Sequence, residues 1–142
     1  GVPRDLKKAI ELWVRTGKLG CATGYYNVAD SYRGGQFVEI DMKKAKHYYE
    51  LAAIGGNAAA RHILGILENN AGNMDRAVKH WMIAAGAGYD DSLPFIRQLF
   101  MNGHATKDDF EMVLRSHKEA KDEMRSDQRD AAEAYIARRG GN

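Results

Sequence analysis

Three stretches of this 142-residue chain repeat one another in register, which confines the chain to folds built from stacked, similar units. The stretches run from Asp5 to Trp13, Asp41 to Tyr49 and Asn73 to Trp81. Ala9, Ala45 and Ala77 are separated by 36 and then 32 residues. The aromatics at the ends of the stretches keep those two intervals, and so do Gly20, Gly56 and Gly88. Three landmarks sharing one register mark a true internal repeat.

Each unit reads as two helices. Asp5, Asp41 and Asn73 are residues whose side-chain oxygens accept from free N–H groups at a helix start. After Asp41, the apolar positions Ala45, Tyr48 or Tyr49, Ala52 and Ala53 recur at three and four residues, which makes one helical face. Gly17 and Gly20, Gly55-Gly56 and Gly88 then stop the first helix of each unit. Second helices are expected at about residues 22–33, 58–70 and 92–101, the last with Pro94 in its first turn, where the missing N–H costs little. Small residues at Ala52-Ala53, Ala84-Ala85 and Leu64-Gly65 allow neighbouring helices to approach closely. A single pair cannot bury its apolar face, so the pairs must stack.

The residues Asp41, Lys44-Ala45, Tyr48-Tyr49, Ala52-Ala53, Gly56, Ala60 and Leu64-Gly65 give the chain its resemblance to the Sel1-like repeat family, a relative of tetratricopeptide repeats. Tyr32, Gly35 and Val38 supply the preceding loop, and Gly1-Val2 matches the end of that loop in an earlier unit, which implies an array continuing upstream. The resemblance implies an all-α fold: a right-handed α-α solenoid of helix pairs, closed by a C-terminal capping helix. The sequence also departs from the family pattern. Thr16-Gly17 replaces Ala-Ala, Val28-Ala29 and Ile96-Arg97 replace Leu-Gly, and Phe37 stands at the loop's second glycine. An arginine does not fit a close helix crossing, so Arg97 is expected to mark the end of the array. The division that follows is 1–105 for the repeat array, about three units with the first degenerate, and 106–142 for the capping segment.

In that second segment Thr106-Lys-Asp-Asp109 signals a helix start, and Phe110, Val113, Leu114, His117, Ala120 and Met124 make one apolar stripe. Eight basic and nine acidic residues leave it nearly neutral. An interruption is predicted at Ser126-Asp-Gln-Arg129, with a helix resuming from Ala131 to Arg138 and a frayed end from Arg138 to Asn142.

Charge and composition exclude several functions. Twenty-one basic against nineteen acidic residues give a net charge of +2, too little for the concentrated field that nucleic-acid binding needs. No run of 18 apolar residues predicts a membrane span. Cys21 is the single cysteine, so no internal disulfide is expected, and a small, partly buried thiol is the expected state. That cysteine and the lack of a basic-then-apolar leader favour an intracellular location, and the opening without methionine suggests a truncated start. No metal site and no cofactor are predicted. His47 and Glu50 lie one turn apart but lack the third and fourth converging ligands a metal needs. His80 takes the register position of Tyr48 and reads as a histidine half-packed between helices. No phosphate loop, acid–base pair or activated nucleophile is legible, so no catalytic residue is assigned.

A binding surface remains. In the related tetratricopeptide architecture, groove residues alternate with the packing motif, and the resemblance carries this over by spacing from Leu-Gly. The positions are Tyr26, Asp30 and Arg33, then His62, Ile66 and Asn69, then Pro94, Gln98 and Met101. The expected function is a monomeric, non-catalytic protein-interaction module, an adaptor or scaffold presenting a groove to a peptide or protein. Two alternatives stand beside it. One is a hydrolase of the kind linked to cysteine-rich Sel1-like proteins, whose disulfide pattern and any Ser-x-x-Lys motif are missing here. The other is a structural spacer in a longer array.

Overall fold

Helix-stop chemistry divides the chain, and the computed structural model, which describes residues 4–35 and 38–141, shows how. Gly20, Gly56 and Gly88 adopt φ of +99°, +94° and +96°, which side chains with a Cβ resist. At each of them the glycine N–H bonds back three residues, and the next N–H bonds back five: Cys21 to Thr16, Asn57 to Ala52 and Tyr89 to Ala84, at 3.0–3.1 Å. This is the Schellman arrangement, which satisfies the last carbonyls of a helix.

Among the described residues the chain is all-helical, with α1 Arg4–Lys18, α2 Ala22–Gly34, α3 Met42–Ile54, α4 Ala58–Asn70, α5 Met74–Gly86, α6 Leu93–Met101 and α7 Lys107–Gly140. A 3-10 turn, Asp90–Ser92, leads into α6. Asp41 caps α3 by accepting from the Lys44 N–H at 3.0 Å, and Asn57 caps α4 through the Ala60 N–H at 2.8 Å. Pro94 sits in the first turn of α6 as expected. Two expected caps differ. Asp5 lies inside α1, which already includes Arg4. Asn73 makes no capping bond, and its Nδ2 donates to the Glu68 carboxylate at 2.8 Å. That carboxylate is buried and needs donors, and Lys46 pairs with it at 3.1 Å from α3.

Neighbouring helices pack in succession as an α-α solenoid. The pairing is out of phase with the units read from sequence. α2 packs most extensively on α3, and α4 on α5, whereas α3 on α4 is a lesser interface. The small positions Gly24, Ala60 and Ser92, which share the repeat register, are all buried. Gly17 proves to be a packing residue within α1, buried against the Tyr25 ring, rather than a helix stop. Ala29, Ala45, Tyr49, Ala52, Ala60 and Leu64 form one core, and Ala77, Trp81, Ala85, Ile96, Leu99 and Val113 a second.

Helix α7 packs on α5 and α6. Val113 is buried, Phe110 stacks on Phe100 with centroids 5.1 Å apart, and Ala120 and Met124 reach Gly88. Asp90 grips this helix, accepting from His117 Nε2 at 2.8 Å and Lys121 Nζ at 2.9 Å. The interruption predicted at Ser126–Arg129 is absent: the helix continues through Arg138 and Arg139 to Gly140. Ser, Asp and Gln each cost a helix only a few tenths of a kcal/mol, and without Gly or Pro nothing there stops it. Leu114 and Met124, expected in the apolar stripe, remain 39% and 43% exposed. Expectations placed on Gly1-Val2, Phe37 and Asn142 lie outside the described residues.

Candidate functional site

The expected groove positions on α2 form one polar-aromatic cluster. Tyr26 meets the Tyr49 ring edge-on, with centroids 5.8 Å apart. Asp30 accepts a hydrogen bond from the Tyr49 hydroxyl and pairs with Arg33 at 3.6 Å. The Arg33 guanidinium lies 5.8 Å from the centroid of the same ring. Burial, then Asp30, push the Tyr49 phenol far above its ordinary pKa, so it acts as a fixed donor. Burial likewise raises the Tyr26 phenol, with Asp30 adding to the effect.

On α4, His62 is 7% exposed, and its Nδ1 lies 2.8 Å from Ser92 Oγ. Its ring packs against Tyr89 and Phe95, with centroids 5.3 and 5.0 Å away. Its backbone carbonyl accepts from Trp81 Nε1 at 3.2 Å, and Phe95 completes the contact with Trp81 at 4.8 Å. Desolvation lowers the histidine pKa, opposed by the charge of Asp91, so the ring is neutral at neutral pH. Burial raises the pKa of the Tyr89 phenol, and the charge of Asp91 and a hydrogen bond to its carboxylate add to the effect.

The remaining positions are distributed differently. Ile66 packs against the second core. Asn69, Pro94, Gln98 and Met101 are exposed, and Gln98 Nε2 donates to Asn102 Oδ1 at 3.2 Å. The structure therefore gathers Tyr26, Asp30 and Arg33 around Tyr49, places His62 in a second cluster with Tyr89, Phe95 and Ser92, and leaves Asn69, Gln98 and Met101 open to solvent. Sequence spacing missed Tyr49, Tyr89, Asp91 and Phe95. It selects one line of positions on one helix of each pair, whereas these four come from α3, the turn after Gly88 and the flank of α6. The aromatic at the end of each repeated stretch was the available signal for Tyr49.

The same geometry bears on chemistry. Ser92 and His62 are hydrogen-bonded, but Ser92 has no exposed surface, so its hydroxyl is not placed to meet a substrate. His47 is exposed on α3 beside Tyr48, and among the described residues no three His, Cys, Asp or Glu side chains converge as metal ligands. Cys21, expected to be partly buried, is exposed at the N-cap of α2, because the turn after Gly20 turns it outward. His80 is half-buried as expected, its pKa lowered first by burial and then by Arg61. No described helix is long and apolar enough to cross a membrane.

Helices packed in successive pairs around small-residue crossings define an α-α solenoid protein. The Sel1 repeat family model matches residues 1–21 and 22–57, which supports a Sel1-like repeat protein. The second match coincides with α2, its loop, α3 and the glycine turn, in phase with one of the two most extensive helix pairs. Sel1 repeats are generally protein-interaction modules and typically non-catalytic. No curated protein matches the sequence.

Proposed function

We propose that this chain is a non-catalytic interaction module that presents the face built by α2, α4 and α6 as a groove for a peptide or a protein segment. The observation that carries the reading is a pair of aromatic clusters on successive helix pairs, Tyr26 seated on the buried Tyr49, and Tyr89 and Phe95 seated on the buried His62. Rigid rings held by helices lose little side-chain entropy on binding and offer apolar bodies with polar tips. Asn69, Gln98 and Met101 extend the face as adaptable contacts at its rim. Residues 1–105 act as the array, and residues 106–142 as the element that closes it through the packing of α7 on α5.

The test uses exposed positions only, because Asp30 and His62 also hold the fold together. Affinity capture from a lysate compares the native chain with an Asn69→Ala, Gln98→Ala, Met101→Ala variant of matched helicity. Proteins held by the native chain and lost from the variant are the expected result. Equal capture by both places the binding surface elsewhere, and no capture by either removes the adaptor reading.

A further inference from the structure

Charge on the aromatic face is unevenly compensated. Asp30 is answered by Arg33 and by the Tyr49 hydroxyl, so that end is internally neutral. Asp90, next in the turn, is answered by His117 and Lys121 of α7. Asp91 is exposed and, among the described residues, takes part in no ion pair. It stands in the 3-10 turn between Tyr89 and Ser92, the two residues that contact His62 from above and beside. Phe95 follows one turn later on α6, 39% exposed and packed on the same histidine. His62 itself is neutral at neutral pH and supplies no counter-charge. The result is a carboxylate with no cationic partner among the described residues, within hydrogen-bonding reach of the Tyr89 hydroxyl and bordered by the rings of Tyr89 and Phe95.

Ring faces carry negative electrostatic potential, and a nearby carboxylate adds to it, so this border attracts a cation that has an apolar stem. An acidic side chain there meets Asp91 at close range. A purely apolar one leaves the carboxylate desolvated and without a counter-charge. We propose that the groove takes a partner segment through a basic side chain, arginine or lysine, that pairs with Asp91 and lies across the Tyr89 and Phe95 rings. This deepens the groove reading above and rests on it. An arginine has the better fit, since its planar guanidinium stacks on a ring while its N–H groups reach a carboxylate.

The test is a positional library of ten-residue peptides, each set fixing one position as one amino acid, bound to the purified native chain at low salt. Sets fixed as arginine or lysine are expected to be retained. A resynthesised peptide should bind Asp91→Asn about tenfold more weakly, while Asp91→Glu keeps most of the affinity. Binding to the native chain should also weaken as salt rises, and that salt dependence should shrink in Asp91→Asn. Both variants alter an exposed side chain, and matched melting curves check that the fold is retained. Selection of acidic or neutral peptides, or basic peptides indifferent to Asp91→Asn, overturns the inference and leaves the groove reading standing. Retention of no peptide set overturns both.

Discussion

Gly65 has no side chain, and the Trp81 indole occupies the space one would fill. That contact sets the approach of α4 to α5 and holds Trp81 Nε1 at 3.2 Å from the His62 carbonyl. A Cβ at position 65 forces the ring outward, and Trp81, 3% exposed, has no open side to move into. We expect Gly65→Ala to destabilise the chain by about 1–3 kcal/mol in urea unfolding. Gly34→Ala is the control, since a Cβ there meets nothing and α2 retains its backbone angles. Equal effects from the two substitutions would show that backbone propensity, rather than the indole contact, governs position 65. The place of Gly65 after Leu64 marks it as a packing residue, but not that the ring against it comes from Trp81, which belongs to the next repeated stretch.

Helix α7 behaves as two segments of one element. Its first part carries Phe110, Val113, His117 and Lys121, which meet the second core, α6 and Asp90. From Arg125 to Gly140 nearly every residue is exposed, including Tyr135 and Ile136 at 58% and 68%. A chain ending at Arg125 should therefore melt within about a degree of the native one, as surface changes away from packed features shift stability little. Val113→Ala should cost on the order of 2 kcal/mol, because it removes buried apolar surface from the second core. A large loss of melting temperature on truncation would mean that the distal helix supports the array. The start of α7 was legible because Thr106 and Asp109 form a reciprocal capping box within four residues. Its course beyond Met124 was not, since a polar composition is compatible with both a helix and a break.

Across the whole chain, His62 is the junction between the two cores. Its neighbours Ile63 and Leu64 belong to the first, its carbonyl holds Trp81 of the second, and its ring bonds Ser92 at the entry to α6. Burial keeps the ring neutral at pH values where an unfolded chain, titrating near the ordinary 6.5, already binds a proton. His80 is shifted in the same direction by burial and Arg61. The unfolded state thus takes up more protons as pH falls, and stability drops with it. This contribution is complete above the ordinary histidine value and declines as pH passes below it. Glu68 and Asp90, whose carboxyl pKa values are lowered, lose their contributions only further down, as pH falls through the carboxylate range. Melting temperature should accordingly be flat above about pH 7.5 and fall between about pH 6.5 and 5, with a shallower fall in His62→Asn. A melting temperature unchanged across that interval would contradict a buried, neutral histidine at the junction.

The repeat, the helix boundaries and their glycine stops were written into the chain because each depends on neighbours within about one or two helical turns. The bonds that close a helix at Gly56 reach back only to Ala53 and Ala52. Which helices pair most tightly, and which side chains share a surface, depended on groups far apart in sequence. Asp30 and Tyr49 are 19 residues apart, and His62 and Ser92 are 30 apart. Tyr89, Asp91 and Phe95 joined the face for the same reason, since their place was set by the stacking of pairs and not by a local pattern. Cys21 gave no local sign of exposure, because a small thiol is compatible with either side of a helix start, and the orientation of the turn after Gly20 placed it outside.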